Sequence, residues 1–170
     1  MVITLSACSA GADTVLTFGE PGPNRGARAN ATKWFAEQVE KRSDGDLKIK
    51  IMWGGALFKA NASRQSIAAG VVDMGTIIPD YFLKEMVAFS LTNLPFENLD
   101  PWVGLKANFD HMTLPEVTDD LAKQNLVFVS SYMLSNVIML CTGNPVHSLD
   151  DIKGKKVRGV GTFGKIFGEL

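Results

Sequence analysis

The sequence predicts an α/β fold built on a parallel sheet, and three observations carry that expectation. An apolar run at residues 15–18 is followed by a helical pattern over 27–42, and then Leu47, Ile49 and Ile51 alternate with Lys48, Lys50 and Met52. The hydrophobic period thus switches from strand to helix and back, as in a β-α-β unit. A helical crossover makes the two strands parallel neighbours. The third observation is that turn formers follow each strand, Gly19-Glu20-Pro21-Gly22-Pro23-Asn24 after the first and Trp53-Gly54-Gly55 after the second. Both loops then leave the same edge of the sheet, where open α/β sheets hold their ligands.

Length and charge narrow the function classes. A chain of 170 residues, 46% hydrophobic and 21% charged, can bury one core or one and a half lobes of something larger. With 17 basic against 18 acidic side chains and no basic stripe, neither nucleic acid nor an anionic membrane is an expected partner. No apolar run reaches the roughly 18 residues of a membrane span. The first residues read as the remnant of an export leader, residues 1–13. Ala10-Gly11-Ala12 resembles a cleavage site, and Leu5-Ser6-Ala7-Cys8 resembles a lipobox in which Cys8 becomes a lipid anchor. Either reading places the protein in the periplasm. Cys141 is left as a lone thiol in an apolar run and is expected in the core; two cysteines without nearby histidine make no zinc site.

The elements follow in order. On the first helix Ala31, Trp34, Phe35, Gln38 and Val39 form the expected buried face, and Ser43-Asp44-Gly45 ends it. Asn61 or Ser63 caps a helix running to Ala69, stopped by Gly70, and residues 73–78 are a third strand ending at Pro79. Three strand ends then present Asn24, Arg25, Trp53 and Tyr81 as candidate cleft-lining residues. Residues 82–99 read as loosely helical, then loop. Asp100 caps a helix with Pro101 in its first position and Trp102, Leu105, Lys106 and Phe109 on its periodic face; another helix spans 115–124. Residues 126–130 and 137–142 are β-rich.

The carboxyl-terminal stretch carries the sharpest chemistry. Ser148 and Asp151 form a capping box on a one-turn helix that Gly154 closes, and a short strand at 156–158 leads into glycines before a helical pattern resumes at Phe163. Arg158 is therefore expected at a strand end ahead of a helix, where its guanidinium can form a bidentate pair with a carboxylate. The competing reading is the dinucleotide fingerprint G-x-G-x-x-G at Gly159, Gly161 and Gly164, which would make the chain an NAD(P)-dependent oxidoreductase. That motif requires an acidic residue about 20 positions on. A third reading is a structural exoprotein without a ligand. His111 and His147 have no Ser, Cys or carboxylate partner at a catalytic spacing, and the pairs Asp119-Asp120 and Asp150-Asp151 fall at expected helix starts, so no catalytic residue is assigned.

Residues 15–170 as a set resemble the amino-terminal half of the solute-binding subunits of TRAP transporters, the tripartite ATP-independent periplasmic uptake systems. The resemblance rests on ordered pieces: Trp34-Phe35-Ala36-Glu37-Gln38-Val39-Glu40, Gly54-Gly55-Ala56-Leu57, Gly70-Val71-Val72-Asp73-Met74-Gly75, Leu94-Pro95-Phe96, and the run from Ser148 to Arg158. It implies a periplasmic-binding-protein-like two-lobed fold. Residues 14–130 would form a nearly complete first lobe and residues 131–170 the truncated start of a second. It also implies a receptor rather than an enzyme, without metal or cofactor and monomeric, which closes on a small organic acid and delivers it to membrane permease subunits. Arg158 would hold the ligand carboxylate, with Met139 and Phe163 lining the cleft. Relatives often carry a second cation where this chain has Ile138 or Met139, which favours a monocarboxylate with an apolar body.

Overall fold

The computed structural model describes residues 14–91, 100–132, 141–143, 145–159 and 161–169. The leader reading, with Cys8 and Ala12, lies outside the described residues, as do Leu94-Pro95-Phe96, Ile138 and Met139. The chain divides into two compact units, Met1–Ile77 and Ile78–Leu170.

In the first unit, β1 (Thr14–Gly19), α1 (Gly26–Arg42), β2 (Leu47–Met52), α2 (Ser63–Ala68) and β3 (Met74–Gly75) form a three-stranded parallel sheet of order β2-β1-β3. β1 and β2 pair along their whole length, from Thr14 opposite Leu47 to Gly19 opposite Met52. The expected β-α-β unit is therefore present at the expected residues. β3 pairs only through Phe18 with Met74 and Gly19 with Gly75, and is shorter than the 73–78 anticipated. The reason is visible at its ends. Asp73 uses its carboxylate to accept the Thr17 amide at 2.7 Å, and beyond Thr76, whose amide returns to Gly19 O, the chain turns into a 3₁₀ turn at Pro79–Tyr81.

Glycine is required where β1 meets β3. A methyl on Gly75 would fall 2.6 Å from Gly19 O, and one on Gly19 would fall 2.2 Å from the buried ring of Phe58. The ring closes the end of the sheet that two side chains would otherwise occupy. Helix α1 ends as expected, with Asp44 and Gly45 both at positive φ. Its buried face is rotated from the expected one: Ala29 and Thr32 are buried, Ala31 is exposed and Trp34 is 60% exposed. Periodicity located the helix but ranked the large residues inside, whereas close helix-to-sheet contact near the helix start selects small ones. Ser63 opens α2 as its first residue rather than capping it, its hydroxyl bonded to Ala60 O at 2.9 Å.

The second unit is built from α3 (Val87–Ser90), α4 (Pro101–Met112), α5 (Pro115–Lys123), a 3₁₀ turn at Leu149–Ile152 and α6 (Thr162–Gly168). Among the described residues its buried apolar side chains are Phe82, Met86, Met112, Val117, Leu121, Leu126 and Ile152. Asp100 caps α4 as expected, its carboxylate accepting from Trp102 N at 2.8 Å and Val103 N at 3.4 Å. The buried stripe of α4 is Gly104, Asn108 and Met112, not the expected Trp102 and Phe109, which are exposed. His111 bonds Ala88 O at 2.8 Å and so ties α4 to α3.

Several expectations are corrected here. Residues 126–130 form no strand, although their alternation survives, with Leu126 buried and Val127 86% exposed. Cys141 is exposed, not a core residue. Asp119 and Asp120 fall in the middle of α5, where Glu116 is the acid of the first turn.

Candidate functional site

The capping box at Ser148 forms as read, with Asp151 Oδ2 accepting from the amides of His147 and Ser148, each at 2.9 Å, and Gly154 following at φ +69°. The amide bonds of His147 and Ser148 and the Ser148 hydroxyl, aided by Lys155, hold the Asp151 carboxyl below its ordinary value near 3.8. The strand expected at 156–158 does not form: residues 155–159 join no ladder among the described residues. Arg158 is exposed and makes no ion pair among the described residues.

The glycines after Arg158 serve chain packing. A methyl on Gly159 would sit 2.5 Å from Gly164 N, and one on Gly161, at φ +51°, would sit 2.4 Å from Asp80 O. The loop thus folds onto its own helix α6 and onto the Pro79–Tyr81 turn. Space that the dinucleotide fingerprint needs for a pyrophosphate is filled by backbone, and no strand precedes it, so that alternative lacks its structural context. The same packing brings Tyr81, 40% exposed, and half-buried Phe163 to the loop that carries Arg158.

In the first unit the expected residues also gather at the carboxyl ends of the strands. Asn24 and Arg25 are exposed on the loop after β1, and Trp53, half-buried after β2, lies under Lys33 with Nζ 5.9 Å from the ring. Two amide bonds join these loops, Gly54 N to Gly22 O at 2.8 Å and Gly55 N to Glu20 O at 3.1 Å. Met139 lies outside the described residues.

Sequence reasoning missed the centre of this rim. Glu20 is 1% exposed; its Oε1 accepts from Gly22 N at 2.7 Å and its Oε2 from Thr76 Oγ1 at 2.6 Å, while Arg28 Nη2 stands 3.6 Å from Oε1. A carboxylate so placed is kept buried by its donors. The available signal was an acid directly after an apolar strand in a loop of glycine and proline. Two shallow grooves, of about 370 and 310 Å³, lie elsewhere, one beside Trp34 and Leu47 and one beside Trp102 and Phe109, and hold none of the expected ligand residues.

A parallel α/β unit that gathers polar residues at the carboxyl ends of its strands has the arrangement in which open α/β sheets hold small ligands. The chain belongs to the bacterial extracellular solute-binding protein family 7, whose profile matches residues 18–170. It is 31% identical over 132 residues to a solute-binding protein of Albidiferax ferrireducens, covering 74% of this chain and 36% of that protein. It is 26% identical over 161 residues to one of Sulfitobacter sp., covering 93% and 48%. The chain therefore spans between about a third and a half of the length of the curated relatives it matches.

Solved structures agree on the fold. A TRAP periplasmic solute-binding protein of Desulfovibrio salexigens superposes with a TM-score of 0.66 at 21% identity, over 92% of this chain and 48% of that one. An extracytoplasmic solute receptor of Bordetella pertussis that binds pyroglutamic acid superposes with a TM-score of 0.58 at 22% identity, over 65% and 36%. The family is extracytoplasmic, and among the described residues no helix is long and apolar enough to cross a membrane.

Proposed function

We propose that the whole protein is the periplasmic receptor of a TRAP-type secondary transporter, which binds a small organic acid through its carboxylate and hands it to membrane permease subunits. The observation that carries this reading is Arg158: an exposed guanidinium without an ion pair among the described residues, on a loop held to Asp80 and to the backbone of Phe163 and Gly164 by close glycine packing. An exposed guanidinium is suited to a planar carboxylate, because its paired N–H groups match the two oxygens. The family assignment and the acids bound by neighbours of the same fold, pyroglutamate and galactonate, support the same class of ligand. In this reading Asn24, Arg25, Trp53, Tyr81, Met139 and Phe163 shape the site, residues 14–130 and 131–170 belong to different lobes, and the protein acts as a monomer.

The test is a thermal-shift screen of carboxylates on the full-length protein, since a ligand that binds only the native state raises its melting temperature. Arg158→Ala is expected to abolish the shift. Retention of full affinity in that variant, measured by calorimetry, would remove Arg158 from the site.

A further inference from the structure

In the second unit the chain leaves α5 through Leu126, whose amide returns to Leu121 O at 2.9 Å. It then runs Val127-Phe128-Val129-Ser130-Ser131 without joining any helix, turn or ladder among the described residues. Among those residues none of these five has a main-chain hydrogen bond. A surface loop leaves such groups to water and is polar accordingly. This segment is not polar: Leu126 to Val129 is an unbroken apolar run, the composition of a strand buried on both faces of an α/β sheet.

The side chains alternate as a strand's do. Leu126 is buried and Val127 exposed; Phe128 is half-buried, its ring 5.8 Å from that of Phe109 on α4, and Val129 is exposed. One face of the run is thus covered, while the other carries two valines into solvent. The far end is pinned to α4, where Asn108 Nδ2 donates to Ser131 Oγ at 2.8 Å. The same carboxamide keeps its Oδ1 buried with no hydrogen-bond partner among the described residues, which is uncommon in a complete fold. Beside this end opens the groove of about 310 Å³ lined by Trp102, Phe109, Ser130 and Ser131.

We propose that residues 127–131 are a strand-addition site, and that its occupant is a β-strand supplied by the part of the whole receptor that lies beyond these 170 residues. The chain spans about a third to a half of the length of its curated relatives, so a protein of their length has the chain to supply it. Main-chain pairing would hold the incoming strand, and its alternate side chains would fill the groove beside Trp102 and Phe109. The run from Leu126 to Val129 carries none of the charges or prolines that keep an edge unpaired. A receptor that left this edge open would pair with its own copies, so the site is filled from within one chain. This goes beyond the ligand reading and stands whether or not Arg158 holds a carboxylate.

Amide exchange and interstrand proton contacts, measured by NMR on the full-length wild-type protein, test it. At least alternate amides of residues 127–131 are expected to exchange about a thousandfold or more slower than in an unfolded chain, and equally at two protein concentrations about tenfold apart. Their interstrand contacts are expected to lead to residues outside 1–170. Exchange at unfolded-chain rates would overturn the proposal, because no strand then pairs there. Contacts to residues within 1–170 of the same molecule would also overturn it. So would protection that appears only as sedimentation shows a dimer forming, which would make a second copy the occupant.

Discussion

The hydroxyl of Thr76 donates to Glu20 Oε2 at 2.6 Å and so joins the end of β3 to the end of β1 across 56 residues of sequence. β3 contributes only two paired residues, Met74 and Gly75, to the sheet. The side-chain bond therefore extends the attachment past the point where the ladder stops, and it supplies one of the donors that a buried carboxylate needs.

Thr76→Val keeps the shape and removes that donor. The expected cost is about 1.5–3 kcal/mol, the range for a hydrogen bond to a charged group whose partner stays buried. Urea unfolding of the full-length protein measures it, and a cost within about 0.5 kcal/mol would show that Gly22 N alone satisfies Glu20.

Gly161→Ala is expected to destabilise by about 1–3 kcal/mol or more, because the methyl meets Asp80 O at 2.4 Å and φ is +51°. Gly164→Ala is the control. Its methyl would lie 3.3 Å from Gly159 O, inside α6, where alanine is favoured by helix propensity. The prediction is a clear ordering of the two melting temperatures, with the Gly161 variant lower; equal values would mean that the loop yields freely.

What could be read before the fold was known follows from where the information sits. The β-α-β unit, the Asp100 cap and the Ser148 box are local: each is written within a few residues, by a period or by an oxygen placed next to free amides. The error in the α1 face, where Trp34 is exposed and Ala29 buried, arose because amphipathic patterning ranks residues by size and apolarity, while packing onto the sheet is limited by distance. The pairing of Glu20 with Thr76 was hidden for a different reason. It depends on β3 lying beside β1, a property of strand order that no window of sequence contains. The glycines near Arg158 were legible as glycines, yet their reason, close approach to Asp80 and to Gly164, is tertiary.

Asp100→Ala removes the oxygen that accepts from Trp102 N and Val103 N. Loss of such a cap costs about 0.5–2 kcal/mol. Hydrogen exchange should localise the change to the first turn of α4, with faster exchange at Trp102 and Val103 and little change at Val117 or Leu121 in α5. Uniform acceleration across both helices would show that the cap supports the whole unit.

The depressed Asp151 carboxyl gives a direction with pH. A group whose folded value lies below its unfolded value contributes stability that is present above the unfolded value, near 3.8, and is lost as pH falls through the folded one. The Leu149–Ile152 turn is therefore expected to hold from neutral pH down to about 4 and to loosen only below it. The amides of His147 and Ser148, which Asp151 accepts, are the reporters. Chemical shifts of these amides should titrate below pH 3.8 in the wild type and be flat in Asp151→Asn; a wild-type midpoint above 3.8 would contradict the bonding described.

Gly22 and Gly75 both face groups that a methyl would strike, yet they are predicted to differ. At Gly75 the obstacle is the Gly19 carbonyl at 2.6 Å, which belongs to the paired β1 strand and cannot move without breaking the register, so Gly75→Ala should cost about 1–3 kcal/mol or more. At Gly22 the nearest obstacle is the end of the Arg28 side chain, which can swing away, with Glu20 Oε1 behind it at 2.9 Å needing only a small shift, and the lower chain entropy of alanine in the unfolded state offsets part of what is lost. Gly22→Ala should therefore unfold within about 1 kcal/mol of the wild type while displacing the guanidinium from Glu20. Urea unfolding of the two variants checks the ordering; equal costs would mean that the Arg28 side chain cannot yield to the methyl.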